Sequence, residues 1–186
     1  MSQKNRIHIL GASGSGTTSI AKCLAKRTGY QHLDTDDFYW HDTSPPYTVA
    51  NKPQERQLQL ARALATHEQW ILSGSLCGWG DIFIPSFELV IYVYVENEKR
   101  LERLKQRELM RFGEAILPGG NQHEQHQAFI EWAAGYETTT GVSRNALRHK
   151  QWLEIIPCPV VRIVNERTVD ESVDDILQHI ALNPQR

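Results

Sequence analysis

A glycine-rich loop near the start of the chain constrains the fold more than any other feature of the sequence. Residues 11–18 read Gly-Ala-Ser-Gly-Ser-Gly-Thr-Thr, which follows the spacing G-x-x-x-x-G-x-[ST]. Glycines let such a loop curl until successive amide groups point at a bound phosphate, and the helix that follows adds unpaired N–H groups. The segment Arg6-Ile7-His8-Ile9-Leu10 predicts a short strand before the loop. The pattern at 18–27 predicts a helix after it, which Gly29 ends.

Thr17 stands where loops of this spacing usually carry a lysine. That lysine neutralises the outer phosphates during phosphoryl transfer, whereas a threonine brings no charge. Thr18 keeps the hydroxyl that coordinates Mg²⁺. A plain flexible turn is the alternative interpretation of the Gly/Ser run, but the flanking strand and helix favour phosphate binding. The residues expected to bind the nucleotide are Gly11, Ser13, Gly14, Ser15, Gly16, Thr17 and Thr18.

Size and composition limit the classes of protein that the chain can represent. With 186 residues, 40% of them hydrophobic, it suits a single globular domain over residues 1–186. A formal net charge of −2 gives no global attraction to nucleic acid or to anionic membranes. The longest apolar run, residues 89–95, is too short to span a bilayer. Three widely spaced cysteines are typical of reduced thiols, so we expect a cytoplasmic protein. The oligomeric state stays open.

Strand and helix patterns alternate along the chain. This alternation predicts an α/β fold with a five-stranded parallel sheet between two helical layers. One helix is expected to begin at Pro53 and to bury Leu58, Ala61, Leu64 and Ala65. The last helix should follow a capping box at residues 168–171 and bury Val173, Ile176, Leu177 and Ile180. The five predicted strands are residues 6–10, 30–33, 70–72, 89–95 and 160–164.

Three carboxylates follow the second predicted strand, in Asp34-Thr35-Asp36-Asp37-Phe38. Ligands in such sheets bind beyond the carboxyl ends of the strands, so this turn is expected to lie beside the phosphate loop. Mg²⁺ prefers oxygen ligands, and a carboxylate facing a phosphoryl acceptor can orient its hydroxyl and take its proton. The alternative is that Asp36 or Asp37 only caps the next turn.

Two further segments carry candidate residues. After the third strand, Gly74 would let the backbone approach a ligand, and Trp79 either stacks on the acceptor or packs in the core. In the helical pattern after the fourth strand, four arginines fall within an arc of about 80° on one face. Guanidinium groups suit phosphate oxygens, although ion pairs on a solvated face are the alternative. These arginines are Arg100, Arg103, Arg107 and Arg111, with Arg144 and Arg148 as secondary candidates.

The loop and the order of elements resemble the P-loop kinases of the adenylate kinase and shikimate kinase group. Phosphoribulokinases, in the same class, carry Thr or Ser at the lysine position and remain kinases. The acidic turn resembles the Asp-x-Asp of shikimate kinases, and Asp36-Asp37-Phe38 resembles the Asp-Asp-Phe of uridine and ribosyl-nucleoside kinases. The resemblance implies that Asp34 lies toward Mg²⁺ and Asp36 toward the acceptor hydroxyl, while Asp37 shares either role.

The same resemblance assigns roles to residues farther along the chain. Residues 100–122 are similar to the small helical lid of adenylate-kinase-like enzymes, which implies that Arg103, Arg107 and Arg111 stabilise the transferring phosphoryl group. Asn165 follows the last strand, where such proteins hold the adenine through backbone contacts. The glycines after the third strand match shikimate kinases only in part, because three consecutive glycines and the acceptor-binding arginine are missing.

Two functions are therefore expected from the sequence. The first is an ATP-dependent phosphotransferase that uses Mg²⁺ and acts on a small hydroxylated metabolite or a nucleotide. The alternative is a nucleotide-binding regulatory or interaction protein that lost catalysis with the lysine. The retained Thr18 and the acidic turn favour the enzyme, since a pure binding module has little use for them.

Overall fold

The computed structural model describes residues 4–44, 46–138 and 144–181. Within them, five strands form one sheet in the order β2-β3-β1-β4-β5, and every neighbouring pair is parallel. The predicted fold class is confirmed. The strands are β1 (Arg6–Gly11), β2 (Gln31–Asp34), β3 (Trp70–Ser73), β4 (Leu89–Tyr94) and β5 (Val160–Val164).

Seven helices accompany the sheet in the described part of the chain, with two short 3₁₀ turns at Asp81–Ser86 and Gly113–Ile116. None of these helices is long and apolar enough to cross a membrane. The helices are α1 (Thr17–Thr28), α2 (Asp36–Tyr39), α3 (Pro53–Ala65), α4 (Asn97–Phe112), α5 (His123–Ala134), α6 (Ala146–Glu154) and α7 (Val169–Ala181).

The central strand β1 separates two hydrophobic cores. Ile7 and Ile9 point into a core shared with α1 and α7, while Leu10 joins a core that includes Trp79 and Trp152 on the other face. All three β1 side chains are fully buried. Because side chains alternate along a strand, a strand covered on both faces buries consecutive side chains, and β1 buries His8 as well as its apolar residues. The carboxyl end of β1 therefore places the glycine loop at the open edge between the two layers.

The predicted boundaries of α1 and α7 are confirmed by their caps. Gly29 adopts a left-handed φ of 80° and donates its N–H to Ala25 O at 2.8 Å, which ends α1. Before α7, the N–H of Thr168 donates to Glu171 Oε2 at 2.9 Å, and the N–H of Glu171 donates to Thr168 Oγ1 at 3.3 Å. This is the predicted capping box. Val173, Ile176 and Ile180 are buried, and Leu177 packs against the same core.

The buried face of α3 differs from the prediction. Leu58, Ala61 and Ala65 are exposed, while Arg56, Leu60 and Leu64 are buried. The guanidinium of Arg56 lies 3.5 Å from the centre of the Tyr39 ring, and its Nε donates to Asn51 O at 2.6 Å. This arginine packs inward through its long stem and flat head, so the helix buries positions i, i+4 and i+8 counted from Arg56.

Candidate active site

The glycine loop lies between β1 and α1 in the geometry that phosphate binding requires. Gly14 and Gly16 have left-handed φ values of 83° and 90°. A Cβ on Gly14 would lie 2.6 Å from the carbonyl oxygen of Arg100, so only glycine fits this turn. The helix α1 has no side-chain cap at its N-terminus, which leaves its first amide groups for a ligand.

The Ser15 hydroxyl gives an independent sign that the loop holds an anion. It is buried, and it has no hydrogen-bond partner among the residues that the structure describes. Buried polar atoms are nearly always satisfied, so an unpaired hydroxyl inside a curled glycine loop points to a missing acceptor. A phosphate group supplies such acceptors, and the residues of the loop fit it.

Thr18 and Asp34 meet beside the loop. Thr18 Oγ1 donates to Asp34 Oδ2 at 2.8 Å, and Ser73 Oγ donates to the same carboxylate oxygen at 3.0 Å. Asp34 and Ser73 are paired in register at the ends of β2 and β3. A serine at the end of β3 thus supports a carboxylate from the neighbouring strand.

This pair of oxygen ligands suits Mg²⁺, which commonly takes one or two protein carboxylate or hydroxyl oxygens and completes its shell with water and phosphate. Within residues 4–44, 46–138 and 144–181, no cluster of three or more His, Cys, Asp or Glu side chains could hold a metal by itself. The chemistry of the site therefore fits a metal bound jointly with nucleotide.

Asp36 faces a cavity of about 480 Å³ that also reaches Ser13 of the loop. The pKa of Asp36 is raised, first by its partial removal from water and then by the negative charge of Asp34, while Arg144 and Arg107 oppose the rise. The pKa of Asp37 is also raised, mainly by desolvation, but Asp37 does not line this cavity.

The turn-capping alternative applies to Asp34 and not to its neighbours. Asp34 Oδ1 accepts the backbone N–H of Asp36 at 3.1 Å, and α2 carries no other side-chain cap. Asp36 is consequently left with its carboxylate toward the cavity. The structure brings together the phosphate loop, Asp34 and Asp36, as the sequence predicts.

The four arginines of α4 do not share one environment. Arg100 is only 1% exposed, and its Nη1 donates to Ser13 O of the loop at 2.9 Å. Arg103 donates from Nη2 to the carbonyl oxygen of Asn165 at 3.0 Å and does not line the cavity. Arg107 and Arg111 line the cavity. Of the four α4 arginines, these two share the cavity with Asp36.

Arg100 is a feature of the site that sequence reasoning did not single out. Its guanidinium is buried behind the loop, its Nε has no partner in the described part of the chain, and the nearest carboxylate, Glu137 Oε1, is 3.6 Å away. Arg100 also donates to Asn97 Oδ1 at 2.8 Å, so a buried and paired cation lies directly behind the loop. The helical spacing placed Arg100 on the arginine face but gave no sign that it would be the buried member.

The Asn165 side chain holds the loop in place. Its Nδ2 donates to Ser15 O at 2.8 Å, and its Oδ1 accepts from Ser172 Oγ of α7 at 3.0 Å. Its backbone N–H donates to Tyr94 O, and its carbonyl accepts from Arg103. Both backbone groups of Asn165 are engaged and its side chain positions the loop, while the adenine contact expected of this segment stays a prediction.

The two candidates after β3 have structural roles. Gly74 has a left-handed φ of 104°, and a Cβ there would collide with the hydroxyl of Thr35. Trp79 is 7% exposed, belongs to the second core and donates from Nε1 to Ser75 O at 3.3 Å. Neither residue lines the cavity. Trp79 packs in the core, which the sequence left open as its alternative role, and contact of either residue with the acceptor stays a prediction.

Other cavity residues come from segments that the sequence did not connect. Tyr47, Phe129, Trp132 and Arg144 line the cavity together with Asp36. Arg144 was only a secondary candidate, and the three aromatic residues carried no motif. No local sequence pattern identifies these aromatic residues, because they become neighbours only when the chain folds. The segment before α3 and the helix α5 then lie together at the cavity.

The parallel sheet, the glycine loop and the Thr18–Asp34 pair define a P-loop small-molecule kinase of the adenylate kinase and shikimate kinase group. Residues 7–125 match the family model described as "AAA domain", and the chain belongs to this family.

Three similar proteins illustrate the relationship. The chain is 41% identical over 180 residues to the "Uncharacterized protein YqaC" of Bacillus subtilis (strain 168), covering 97% of this chain and 99% of that protein. It is 26% identical over 114 residues to the cytidylate kinase of Archaeoglobus fulgidus, covering 55% of this chain and 62% of that enzyme. The shikimate kinase from Acinetobacter baumannii, solved with shikimate, shares the fold with a TM-score of 0.56 at 18% identity, over 98% of this chain and 96% of that one. These similarities support a kinase-like phosphotransferase.

Proposed function

We propose that the protein is an ATP-dependent phosphotransferase that moves the γ-phosphoryl group to a small hydroxylated metabolite or a nucleotide. The observation that carries the proposal is the acidic turn after β2. Asp34 bonds to Thr18 at the phosphate loop, while Asp36, two residues later, faces the cavity. One turn thus joins a donor site to an acceptor site.

On the donor side, the loop amides, the start of α1 and the Ser15 hydroxyl would bind the phosphates of ATP. Thr18 and Asp34 would hold Mg²⁺, which supplies neutralising charge on the phosphate oxygens when it is bound. Asn165 keeps the loop in its curled form through Ser15. Preorganised donors of this kind lower the cost of binding because little has to move.

On the acceptor side, Asp36 would orient the hydroxyl and take its proton as the new oxygen–phosphorus bond forms. The raised pKa of Asp36 makes it a better proton acceptor than an ordinary aspartate once it is ionised. Asp37 would add negative charge nearby without reaching the acceptor.

Positive charge for the transfer would come from α4 in place of the missing lysine. Arg107 and Arg111 line the cavity, and Arg100 lies buried against Ser13. Residues 100–122, which form one wall of the cavity through Arg107, Phe112 and Ile116, would act as a lid that brings these cations onto the transferring group. Arg103 would act indirectly, through the segment at Asn165.

An ADP-release assay tests the proposal. The purified protein is given ATP, Mg²⁺ and, in parallel, sugars, shikimate-like acids, nucleosides and nucleoside monophosphates. We expect ADP release that depends on the presence of one acceptor class and that disappears in Asp36→Asn. Turnover that no acceptor stimulates would contradict the proposal.

Thr17 is the observation that favours a second function, a nucleotide-binding regulator. Calorimetric titration with ATP, with and without Mg²⁺, separates the two. Tight ATP binding without phosphorylation of any acceptor would support the regulator. Acceptor-dependent turnover would exclude it.

A further inference from the structure

We propose that the phosphoryl acceptor is a hydroxylated molecule with a flat heteroaromatic ring, of the nucleoside class, held between two aromatic walls of the cavity. The reaction rests on the proposed phosphotransferase function. The class of acceptor rests on the cavity alone.

The cavity is unusually rich in aromatic side chains. Six of its 17 lining residues are Phe, Trp or Tyr, about four times their 9% share of the chain. Ligand cavities gain most of their affinity from such apolar faces, while a few polar groups fix orientation. The six are Tyr39, Trp40, Tyr47, Phe112, Phe129 and Trp132.

These rings come from two sides. Trp40 contacts Tyr39 edge to face at 4.8 Å and Tyr47 at 6.2 Å, which forms one wall after β2. Phe129 and Trp132, one turn apart on α5, are stacked at 6.0 Å with their planes only 24° apart. The second wall therefore consists of two aromatic rings whose planes are nearly parallel. A planar ring can stack on it, and base–aromatic stacking typically contributes about 1–3 kcal/mol.

Two arginines extend the aromatic walls with hydrogen-bond donors. The Arg111 guanidinium lies 4.8 Å from the centre of the Tyr47 ring, and that of Arg144 lies 5.7 Å from the Trp132 ring. Among the described residues, neither forms an ion pair with a carboxylate. A guanidinium group carries several N–H donors, so an arginine beside an aromatic ring can also donate to the carbonyl oxygens of a nucleobase.

His126 supplies a further polar atom without a partner. It lines the cavity, and its Nδ1 is buried with no hydrogen-bond partner in the described part of the chain. Arg111 already donates from Nη2 to the Tyr47 hydroxyl at 2.9 Å. A ring that carries oxygen and nitrogen atoms can pair with this histidine and with Arg144, whereas a purely hydrocarbon ring cannot. These donors favour a heteroaromatic acceptor.

Asp36 decides which end of the acceptor reacts. Its carboxylate faces the cavity, and Asp34 and Asp37 add negative charge nearby. The hydroxyl to be phosphorylated can donate its hydrogen bond to the Asp36 carboxylate, whereas an ionised phosphate group at that point has no hydrogen to donate. In the transfer, the hydroxyl oxygen bonds to the γ-phosphorus and its proton passes to Asp36. The bond from that phosphorus to the bridging oxygen breaks, and ADP leaves with the electron pair.

A series of related molecules tests the inference. The probes are uridine, cytidine, adenosine and guanosine, then ribose without a ring base, shikimate with a non-aromatic ring, and the nucleoside monophosphates. Each is tested for ATP-dependent phosphorylation and for quenching of tryptophan fluorescence, since Trp40 and Trp132 line the cavity. Quenching reports the ring site even when no transfer occurs.

We expect at least one nucleoside to be phosphorylated at least tenfold more efficiently than ribose or shikimate, with saturable quenching. Equal or better use of ribose, shikimate or a nucleoside monophosphate would overturn the inference while leaving the phosphotransferase function intact. Quenching by nucleosides without any transfer would support the ring site and contradict the function. Absence of both quenching and nucleoside transfer would overturn the inference.

Two variants at Trp132 separate stacking from folding. Trp132→Leu should raise the KM for the nucleoside about tenfold, as the loss of one stacking face predicts. Trp132→Phe keeps a flat ring and should stay within about threefold of the natural protein. ATP affinity and the thermal midpoint serve as controls. Equal losses in both variants would indicate a structural role for Trp132 and contradict the stacking account.

Discussion

Asp36 is placed where a negative charge is costly to the fold. Its pKa lies above the ordinary value of 3.8 because of desolvation and the charge of Asp34. A carboxyl whose pKa is raised by folding destabilises the folded state at pH values above the raised pKa. That cost vanishes when the pH falls below the ordinary value, where both states are protonated. Shifted pKa values that lower the stability of the folded state are typical of catalytic groups.

Asp36→Asn should therefore raise the thermal midpoint at neutral pH and lose that advantage as the pH falls toward 3.8. Thermal unfolding followed by circular dichroism across this pH window measures the effect. Glu131→Gln on the exposed side of α5 is the matched control. It should change the free energy of unfolding by no more than about half a kcal/mol. A lower midpoint for Asp36→Asn at neutral pH would mean that Asp36 is a structural residue.

Thr17 makes a second residue-scale prediction. If Arg107 and Arg111 already supply the charge of the missing lysine, Thr17→Lys should change the transfer rate by no more than about threefold. Steady-state ADP release measures this rate. Ser19→Lys adds the same charge two residues along α1 and controls for nonspecific attraction of ATP. A gain of about a hundredfold in Thr17→Lys alone would contradict the compensation by arginine.

Residue roles were predictable from the sequence only where a motif fixed several neighbours at once. The loop glycines and Asp34 with Asp36 belong to such motifs, and the structure brings them together. Trp79 had no such context. A tryptophan after a strand packs inward or outward according to the turn that precedes it, and here the turn directs it into the core.

At the scale of elements, α4 divides its arginines between two environments. Its first turns bury Arg100 and Leu104 against the loop, and its last turns bring Arg107 and Arg111 to the cavity. The helix thus connects the phosphate loop with the cavity. Periodicity predicted the arginine face of this helix. The division of that face depends on where α4 leaves the core, which no local pattern specifies.

Arg107→Gln tests the role of this helix. Removing a cation beside the transferring group should lower the transfer rate by at least about tenfold while leaving ATP affinity nearly unchanged. Lys105→Gln removes an equal charge from an exposed position on the same helix and is the control. Stopped-assay turnover with calorimetric ATP binding measures both quantities. Equal effects of the two variants would show that α4 acts only through its overall charge.

The predictions for helices α1 and α7 rested on local patterns, whereas the wrong prediction for the buried face of α3 depended on a contact between distant residues. The boundaries of α1 and α7 were predictable because caps are local. The buried face of α3 was misjudged because Arg56 stacks on Tyr39, a contact between residues that are distant along the chain. An arginine that packs inward cannot be recognised from hydrophobic periodicity.

At the scale of the whole molecule, strand–helix alternation predicted the parallel sheet, but the cavity depends on the complete fold. Asp36 is more than 90 residues away from Phe129 and from Arg144 along the chain. All three residues line the same cavity. No single segment contains enough of the cavity-lining residues to predict the cavity from sequence. Of the cavity residues outside the glycine loop, the sequence therefore indicated only the charged side chains Asp36, Arg107 and Arg111, with Arg144 as a secondary candidate.

Nucleotide binding should stabilise the whole fold. A ligand at about 100 times its Kd adds about 2.7 kcal/mol to the free energy of unfolding, so ATP with Mg²⁺ should raise the thermal midpoint by several degrees. Differential scanning fluorimetry with ATP alone, and then with ATP and Mg²⁺, measures the metal-dependent share of the rise in the thermal midpoint. Thr18→Ala should abolish that share, whereas Ser19→Ala at the exposed neighbouring position should retain it. A metal-dependent shift that persists in Thr18→Ala would contradict the assignment of Thr18.

The central claim is that the acidic turn links a nucleotide site to an acceptor site through two carboxylates with different roles. Its most direct measurement is the transfer rate and the ATP Kd of Asp36→Asn beside the natural protein, with the acceptor that the ADP-release assay identifies. The account predicts a rate lower by about 10²- to 10⁴-fold at an ATP Kd that changes less than about threefold. An unchanged transfer rate, or a loss of ATP binding that accounts for the whole loss of rate, would contradict it.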